Sequence, residues 1–169
     1  MDTPLEYKIG PLLRAKGWKL VLAESCTGGL VGHRITNVPG SSDYYLGSIT
    51  AYAYEAKERL LGVNHDTLIT YGAVSPEIAL AMARGVCLAL APDFGIQNII
   101  GISITGIAGP GGGTPTKPVG LVWIGFSTPT GDFANGYNWP GNREQNKADS
   151  AEQALKTLWD YLNGNLKIS

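Results

Sequence analysis

The sequence is short of the residues that most simply announce a function. Its 169 residues hold two cysteines and two histidines. Cys26, Cys87, His33 and His65 share no ligand spacing, so neither a disulfide framework nor a metal site is expected. No apolar run approaches the ~18 residues that a membrane span requires. The first residues are acidic and polar instead of basic and then apolar, which argues against a secretory signal. Thirteen basic residues stand against 14 acidic ones for a net charge of −1. With no basic cluster, a nucleic-acid partner is not expected. Free thiols without a signal point to the cytoplasm. Charged residues reach only 16%, against ~25% in an ordinary soluble chain. That scarcity favours a homodimer or higher homo-oligomer that hides part of its surface.

What remains is enough for one globular domain over residues 1–169, with 44% apolar content and strands and helices in alternation. Thr3-Pro4-Leu5-Glu6 has the form of a capping box, and Leu5, Ile9, Leu12 and Leu13 follow at helical spacing up to Gly17. Gly10-Pro11 predicts a kink or early break there. Strands are expected at Lys19–Ala23, Tyr45–Tyr52, Asn98–Thr105 and Gly120–Thr128, with an edge strand at Phe133–Trp139. Helices are expected from Leu30 to about Asn37, at Tyr54–Leu61, from Ser75-Pro76-Glu77 to Ala91, and over roughly Asn142–Leu162. His65–Tyr71 is unclear, with one helical turn as its reading. The pattern implies a sheet between helices, mixed because several connections are hairpin-like.

Two segments carry chemistry. Ala23-Glu24-Ser25-Cys26-Thr27-Gly28-Gly29 lies where a buried strand hands over to a helix. Ser25 or Thr27 there can cap the helix. Alternatively, Ser25 attacks a carbonyl while neighbouring N–H groups hold the oxyanion. The second segment, Gly106 to Gly120, has six glycines and three prolines in 15 residues. It matches neither a Walker loop nor a dinucleotide fingerprint. A loop of this length in a compact domain is usually functional. Open α/β sheets bind ligands beyond the carboxyl ends of their strands, and Ser25 and Thr105 both sit at such ends. If those strands are parallel neighbours, the two segments face one crevice, suited to a phosphate-bearing small molecule.

These segments, together with Ala51-Tyr52-Ala53-Tyr54-Glu55-Ala56-Lys57, Tyr71-Gly72-Ala73-Val74-Ser75 and Lys117-Pro118-Val119-Gly120, resemble the CinA C-terminal domain family. The similarity runs from about residue 4 to 163. The amino-terminal molybdopterin-binding-like domain of full-length CinA proteins is missing, so the chain resembles a stand-alone deamidase domain. Enzymatic members are nicotinamide-nucleotide amidohydrolases. The resemblance implies a three-layer α/β/α sandwich with a mixed, mostly parallel sheet, commonly dimeric. It further implies hydrolysis of the carboxamide of nicotinamide mononucleotide (NMN) without metal or organic cofactor. A non-catalytic nucleotide-binding module and an amidohydrolase for another phosphorylated amide are the alternatives. By the same resemblance Ser25 is the nucleophile, with Tyr52 and Lys57 as its activating partners. Ser42, Thr105 and Arg143 join the nucleotide pocket, beside Thr27, Gly28, Gly29, Gly106, Gly109, Gly111 and Gly112 of the two glycine-rich walls.

An amide nitrogen leaves poorly, so the site needs an activated nucleophile, oxyanion donors and an acid. No histidine lies in these motifs, which leaves Lys57 as base. Its pKa would have to fall from ~10.4 to near 7, at a cost of roughly 4 kcal/mol. Burial could do this, whereas a nearby phosphate would oppose it. Lys57 therefore either activates Ser25, directly or through Tyr52, or clamps a phosphate. Cys26 is a rival nucleophile because thiols react better at neutral pH. Glu24 is expected to bond loop amides. The family pattern commonly has Asp before Arg143 and a second Arg four residues later, where this chain has Asn142 and Lys147. Ala53-Tyr54 likewise replaces a more usual Ser-Asn.

Overall fold

Among residues 2–166, which the computed structural model describes, five strands build one sheet: β1 (Lys19–Glu24), β2 (Tyr45–Thr50), β3 (Ile99–Gly106), β4 (Leu121–Thr128) and β5 (Gly131–Asn138). Their order is β2-β1-β3-β4-β5. β1 pairs in parallel with both β2 and β3, while β4 is antiparallel to both β3 and β5. Four strands thus share one direction and β4 alone is reversed, giving the mixed, mostly parallel sheet. Six helices cover it: α1 (Leu5–Lys16), α2 (Leu30–Thr36), α3 (Tyr54–Leu61), α4 (His65–Tyr71), α5 (Pro76–Leu90) and α6 (Arg143–Leu162).

Successive strand residues face opposite ways, and each face has its own core. Leu20, Leu22, Ile100, Ile102 and Ile104 pack with Ile9, Val31, Ile35 and Leu155 under α1, α2 and α6. Val21, Ala23 and Ile99 pack with Leu61, Leu68, Ile78 and Met82 under α3, α4 and α5. The result is three layers, α/β/α. Helix α5 lies hard against the sheet because two strand positions lack a side chain. A Cβ on Gly101 would stand 2.4 Å from the Ala83 carbonyl oxygen, and one on Gly125 would stand 2.5 Å from that of Ala79.

Local signals mostly hold, with three corrections. No capping box forms at Thr3: Pro4 is the N-cap without a side-chain bond, and the Glu6 carboxylate turns instead to Arg34, 2.6 Å away on α2. Gly10-Pro11 does not break α1, which runs unbroken to Lys16. Its fully buried Ile9 and Leu13 anchor the turns on either side of the proline. His65–Tyr71 is a full helix, started by the Asn64 side chain accepting from Thr67 N–H at 3.0 Å. Among the described residues no helix is long and apolar enough to cross a membrane.

Overpacking a tight contact typically costs 1–3 kcal/mol. Gly101→Ala is accordingly expected to lower stability by about 2 kcal/mol in urea unfolding, since its methyl group would meet backbone that cannot move without lifting α5.

Candidate active site

The first requirement of the crevice is met by the sheet itself: β1 and β3 are parallel neighbours, with Glu24 opposite Ile104. The turn that follows β1 is fastened on both sides. Ser25 N–H donates to the Ile104 carbonyl at 2.9 Å, and Ala51 N–H donates to the Glu24 carbonyl at 2.9 Å. Beneath it the fully buried Glu24 carboxylate accepts from the Thr27 hydroxyl (2.7 Å) and the N–H groups of Val31 (2.9 Å) and Gly32 (3.0 Å). A buried carboxylate is tolerable only when its oxygens are satisfied in this way. The Ser25 carbonyl accepts from Gly28 N–H at 3.1 Å. Gly28 and Gly29 then turn through φ of 62° and 101°, a left-handed region that glycine enters without penalty. Among the described residues the N–H groups of Cys26, Thr27 and Gly29 find no acceptor.

Lys57 meets this turn from α3. Its side chain is as buried as the core, at 1% exposure, and Ser25 is at 7%. The Lys57 Nζ donates to Ser25 Oγ at 3.0 Å and to the carbonyls of Ala51 and Tyr52, both at 2.9 Å. An ammonium has three donors and these acceptors use all of them. Burial pulls its pKa down from 10.5 to about 8, worth about 3 kcal/mol in favour of the neutral amine. A neutral amine keeps two N–H bonds for the two carbonyls and turns its lone pair to the Ser25 hydroxyl. Lys57 therefore faces Ser25 directly, not through the Tyr52 hydroxyl. Cys26 does the opposite of a nucleophile: its side chain packs into the α2–α6 core, and burial pushes the thiol up to about 12.

Arg143, the first residue of α6, closes the other side. It donates to the Gly109 carbonyl at 2.7 Å and to the Tyr52 hydroxyl at 3.1 Å. This bridge runs from beyond the end of β3 to beyond the end of β2, with the end of β1 between them. Asn146, one turn on, donates to the Ala108 carbonyl at 3.0 Å. A cleft of about 470 Å³ opens beside them, lined by Ala108, Gly109, Pro110, Val119 and Arg143 among others.

Ser25, Lys57, Tyr52, Arg143, Gly28, Gly29 and Gly109 thus come together at one end of the sheet. Others do not. Ser42 lies in the turn that leads into the start of β2, at the opposite end of the parallel strands, so it is no part of this crevice. The Thr27 hydroxyl is committed to Glu24, and that of Thr105 donates to the Ala73 carbonyl at 2.8 Å. Both are buried ties that hold the loops. Gly106 answers a packing need, since a Cβ there would stand 2.5 Å from the Val122 side chain. Gly111 and Gly112 sit on the exposed part of their loop, away from the bonds that fix Gly109. Sequence reasoning assigned no role to Asn146 and named Lys147 only as the residue in place of the family's second Arg; the spacing of Asn146, three residues from Arg143 along α6, is the signal that could have found it.

Comparison with known proteins agrees with this architecture. The family model described as the CinA C-terminal domain matches residues 2–162. A Moorella thermoacetica protein named as competence-damage inducible is 50% identical over 161 residues, covering 95% of this chain and 37% of its own length. A CinA-like protein of Salinibacter ruber is 47% identical over 155 residues, covering 92% and 36%. The chain therefore spans little more than a third of these relatives. Among solved structures, a CinA superfamily protein of Klebsiella pneumoniae superposes with a TM-score of 0.86 at 30% identity, covering 95% of this chain and 96% of that one.

The burial of Lys57 is directly measurable. Titration of its side-chain nitrogen by NMR is expected to give a midpoint near pH 8. A midpoint above 10 would remove the amine from the list of available bases.

Proposed function

The chain belongs to the CinA C-terminal domain family, and from that premise we propose that it hydrolyses the carboxamide of NMN to nicotinate mononucleotide and ammonia. The observation that carries this reading is the buried pair of Lys57 and Ser25, 3.0 Å apart. Neutral Lys57 takes the Ser25 proton as Oγ attacks the carboxamide carbon. The carbonyl oxygen, now negative, lies against the unpaired N–H groups of the Cys26–Gly29 turn, which are fixed before reaction begins. The Lys57 ammonium then returns the proton to the departing nitrogen, so that ammonia leaves and an ester of Ser25 remains. Water attacks that ester with Lys57 again as base, and nicotinate mononucleotide departs.

Tyr52 has two ends in this scheme. Its carbonyl holds Lys57 and its hydroxyl holds Arg143, so it positions the base through the main chain. Lys57 is reserved for proton transfer because every donor it has is already placed inside the protein, which leaves none for a phosphate. We also propose a homo-oligomer in the cytoplasm. Large apolar side chains on the surface support association: Leu88 and Ile96 are each 75% exposed and Ile69 is 63% exposed.

The test is purified protein with NMN, following ammonia and nicotinate mononucleotide. Ser25→Ala and Lys57→Met are each expected to lower kcat at least 10³-fold, and Cys26→Ala less than fivefold. Because the base must be unprotonated, kcat/KM should rise about tenfold per pH unit below 8 and level off above it. Turnover that survives Ser25→Ala would overturn the covalent route, and absence of ammonia release from the unaltered protein would overturn the assignment.

A further inference from the structure

The segment Lys117-Pro118-Val119-Gly120 closes the glycine-rich loop, and the reaction proposed above makes no use of its lysine. Every residue from 110 to 119 is exposed except Lys117, which is half-buried. Its Nζ donates to the Tyr71 carbonyl, and a Cβ on Gly72 would stand 2.9 Å from it. Tyr71 is the last residue of α4. Carbonyls at a helix end lack a donor within the helix and carry the negative pole of its dipole, so a lysine ammonium is a natural cap there. Among the described residues Lys117 has no carboxylate partner, and the Tyr71 carbonyl has no other donor.

The anchor that Lys117 reaches is firmly built. The Ser75 hydroxyl donates to the Gly72 carbonyl at 2.8 Å and accepts from Ile78 N–H at 3.3 Å, which starts α5. Ala73 N–H donates to the Tyr54 hydroxyl at 3.3 Å, and the Ala73 carbonyl accepts from the Thr105 hydroxyl at 2.8 Å. The turn over residues 72–75 therefore joins α3, α4 and α5 to the end of β3. On the loop's own side, Lys117 N–H donates to the Thr114 hydroxyl at 3.0 Å and Thr114 N–H donates to the Lys117 carbonyl at 2.7 Å. Near its start the loop is held at Gly109 by Arg143, which comes from the opposite layer. It thus passes across the end of β3 from the α6 layer to α4, and Gly109, Pro110 and Val119 line the cleft. A chain with glycine at 109, 111, 112 and 113 has much conformational freedom to lose. A ligand would bear that cost on binding unless the loop is fixed beforehand.

Building on the NMN reading, we propose that Lys117 is a positioning residue: its ammonium clasps the glycine-rich loop to the carboxyl end of α4, so the cleft wall is in place before the nucleotide arrives. It touches neither the substrate nor the reacting atoms. Its effect is carried by the backbone of the loop, and it acts on binding instead of on the chemical step.

Two readouts isolate this role. By NMR relaxation, the Thr114 and Thr116 amides are expected near the rigid-backbone order parameter of ~0.85 in the unaltered protein and below ~0.6 in Lys117→Met. Ile107 and Gly120, whose backbone bonds continue the β3–β4 pairing, should stay rigid in both. By isothermal titration, Lys117→Met should weaken nicotinate mononucleotide about tenfold with the melting temperature unchanged. Lys117→Arg, which keeps a donor for the carbonyl, should stay within about threefold. With NMN, Lys117→Met should raise KM about tenfold at constant kcat, since Ser25 and Lys57 are untouched. Unchanged order parameters would overturn the clasp, and weaker binding with the loop still ordered would make Lys117 a direct substrate contact. A looser loop with unaltered affinity, or a fall in kcat at constant KM, would overturn the positioning role. If the unaltered protein binds nicotinate mononucleotide but releases no ammonia from NMN, the order parameters and affinities of Lys117→Met still decide the clasp, and only the reaction assigned above falls. Failure of the unaltered protein to bind nicotinate mononucleotide would overturn both.

Discussion

The structure turns on one lysine amine held out of water. An exposed lysine is protonated at neutral pH and is no base. Lys57 is at 1% exposure and has only uncharged oxygens around it, so burial penalises its charge with no carboxylate to compensate. The residues that surround it are those that close the sheet at this end: Ala51 and Tyr52 just past β2, and Ser25 just past β1. Folding the parallel β2–β1 pair and docking α3 against α5 is what sinks the amine. Lowering of the amine's pKa and core formation are thus one event here.

Glu24 plays the complementary part on the other side of the same turn. Neighbouring residues on a strand point to opposite faces, so as Ser25 turns toward Lys57, Glu24 turns into the α2 layer. There it gathers two backbone N–H groups and the Thr27 hydroxyl. With those donors occupied by Glu24 and Gly28 N–H returned to Ser25, the remaining N–H groups of the turn are left for a ligand. The carboxylate thus shapes a loop with free N–H groups while itself facing the α2 layer.

Much of this could be read from the residues alone, and the exceptions share a cause. Tyr54–Leu61, capped by Gly62, and the helix start at Ser75-Pro76 are local features, fixed by spacing and turn chemistry, and they match α3 and α5. The adjacency of Ser25 and the glycine-rich loop needed only parallel neighbouring strands. Ser42 failed because a motif shows that a residue matters to a family, while the end of the sheet it occupies depends on strand direction. Thr27 and Thr105 look like ligand contacts because a hydroxyl beside a site looks available. In the fold, Glu24 and the Ala73 carbonyl take them. Glu6 shows the same limit: a capping-box spacing was present, but Arg34, 28 residues away in sequence, competed for the carboxylate and won.

The placement of charge on two layers follows from what the base requires. A phosphate dianion bound to Lys57 would favour its ammonium form and undo what burial achieves. In the NMN reading the phosphate is therefore kept away from Lys57 and reached from another direction. Lys57 comes from α3 in the layer of α4 and α5, whereas Arg143 and Lys147 come from α6 in the opposite layer, and β1 ends between them. Tyr52 connects the two, with its carbonyl on the amine and its hydroxyl on the guanidinium. In the proposed reaction a substrate spanning this gap would present its amide to Lys57 and keep its phosphate away from that amine, with the sheet holding the two requirements apart.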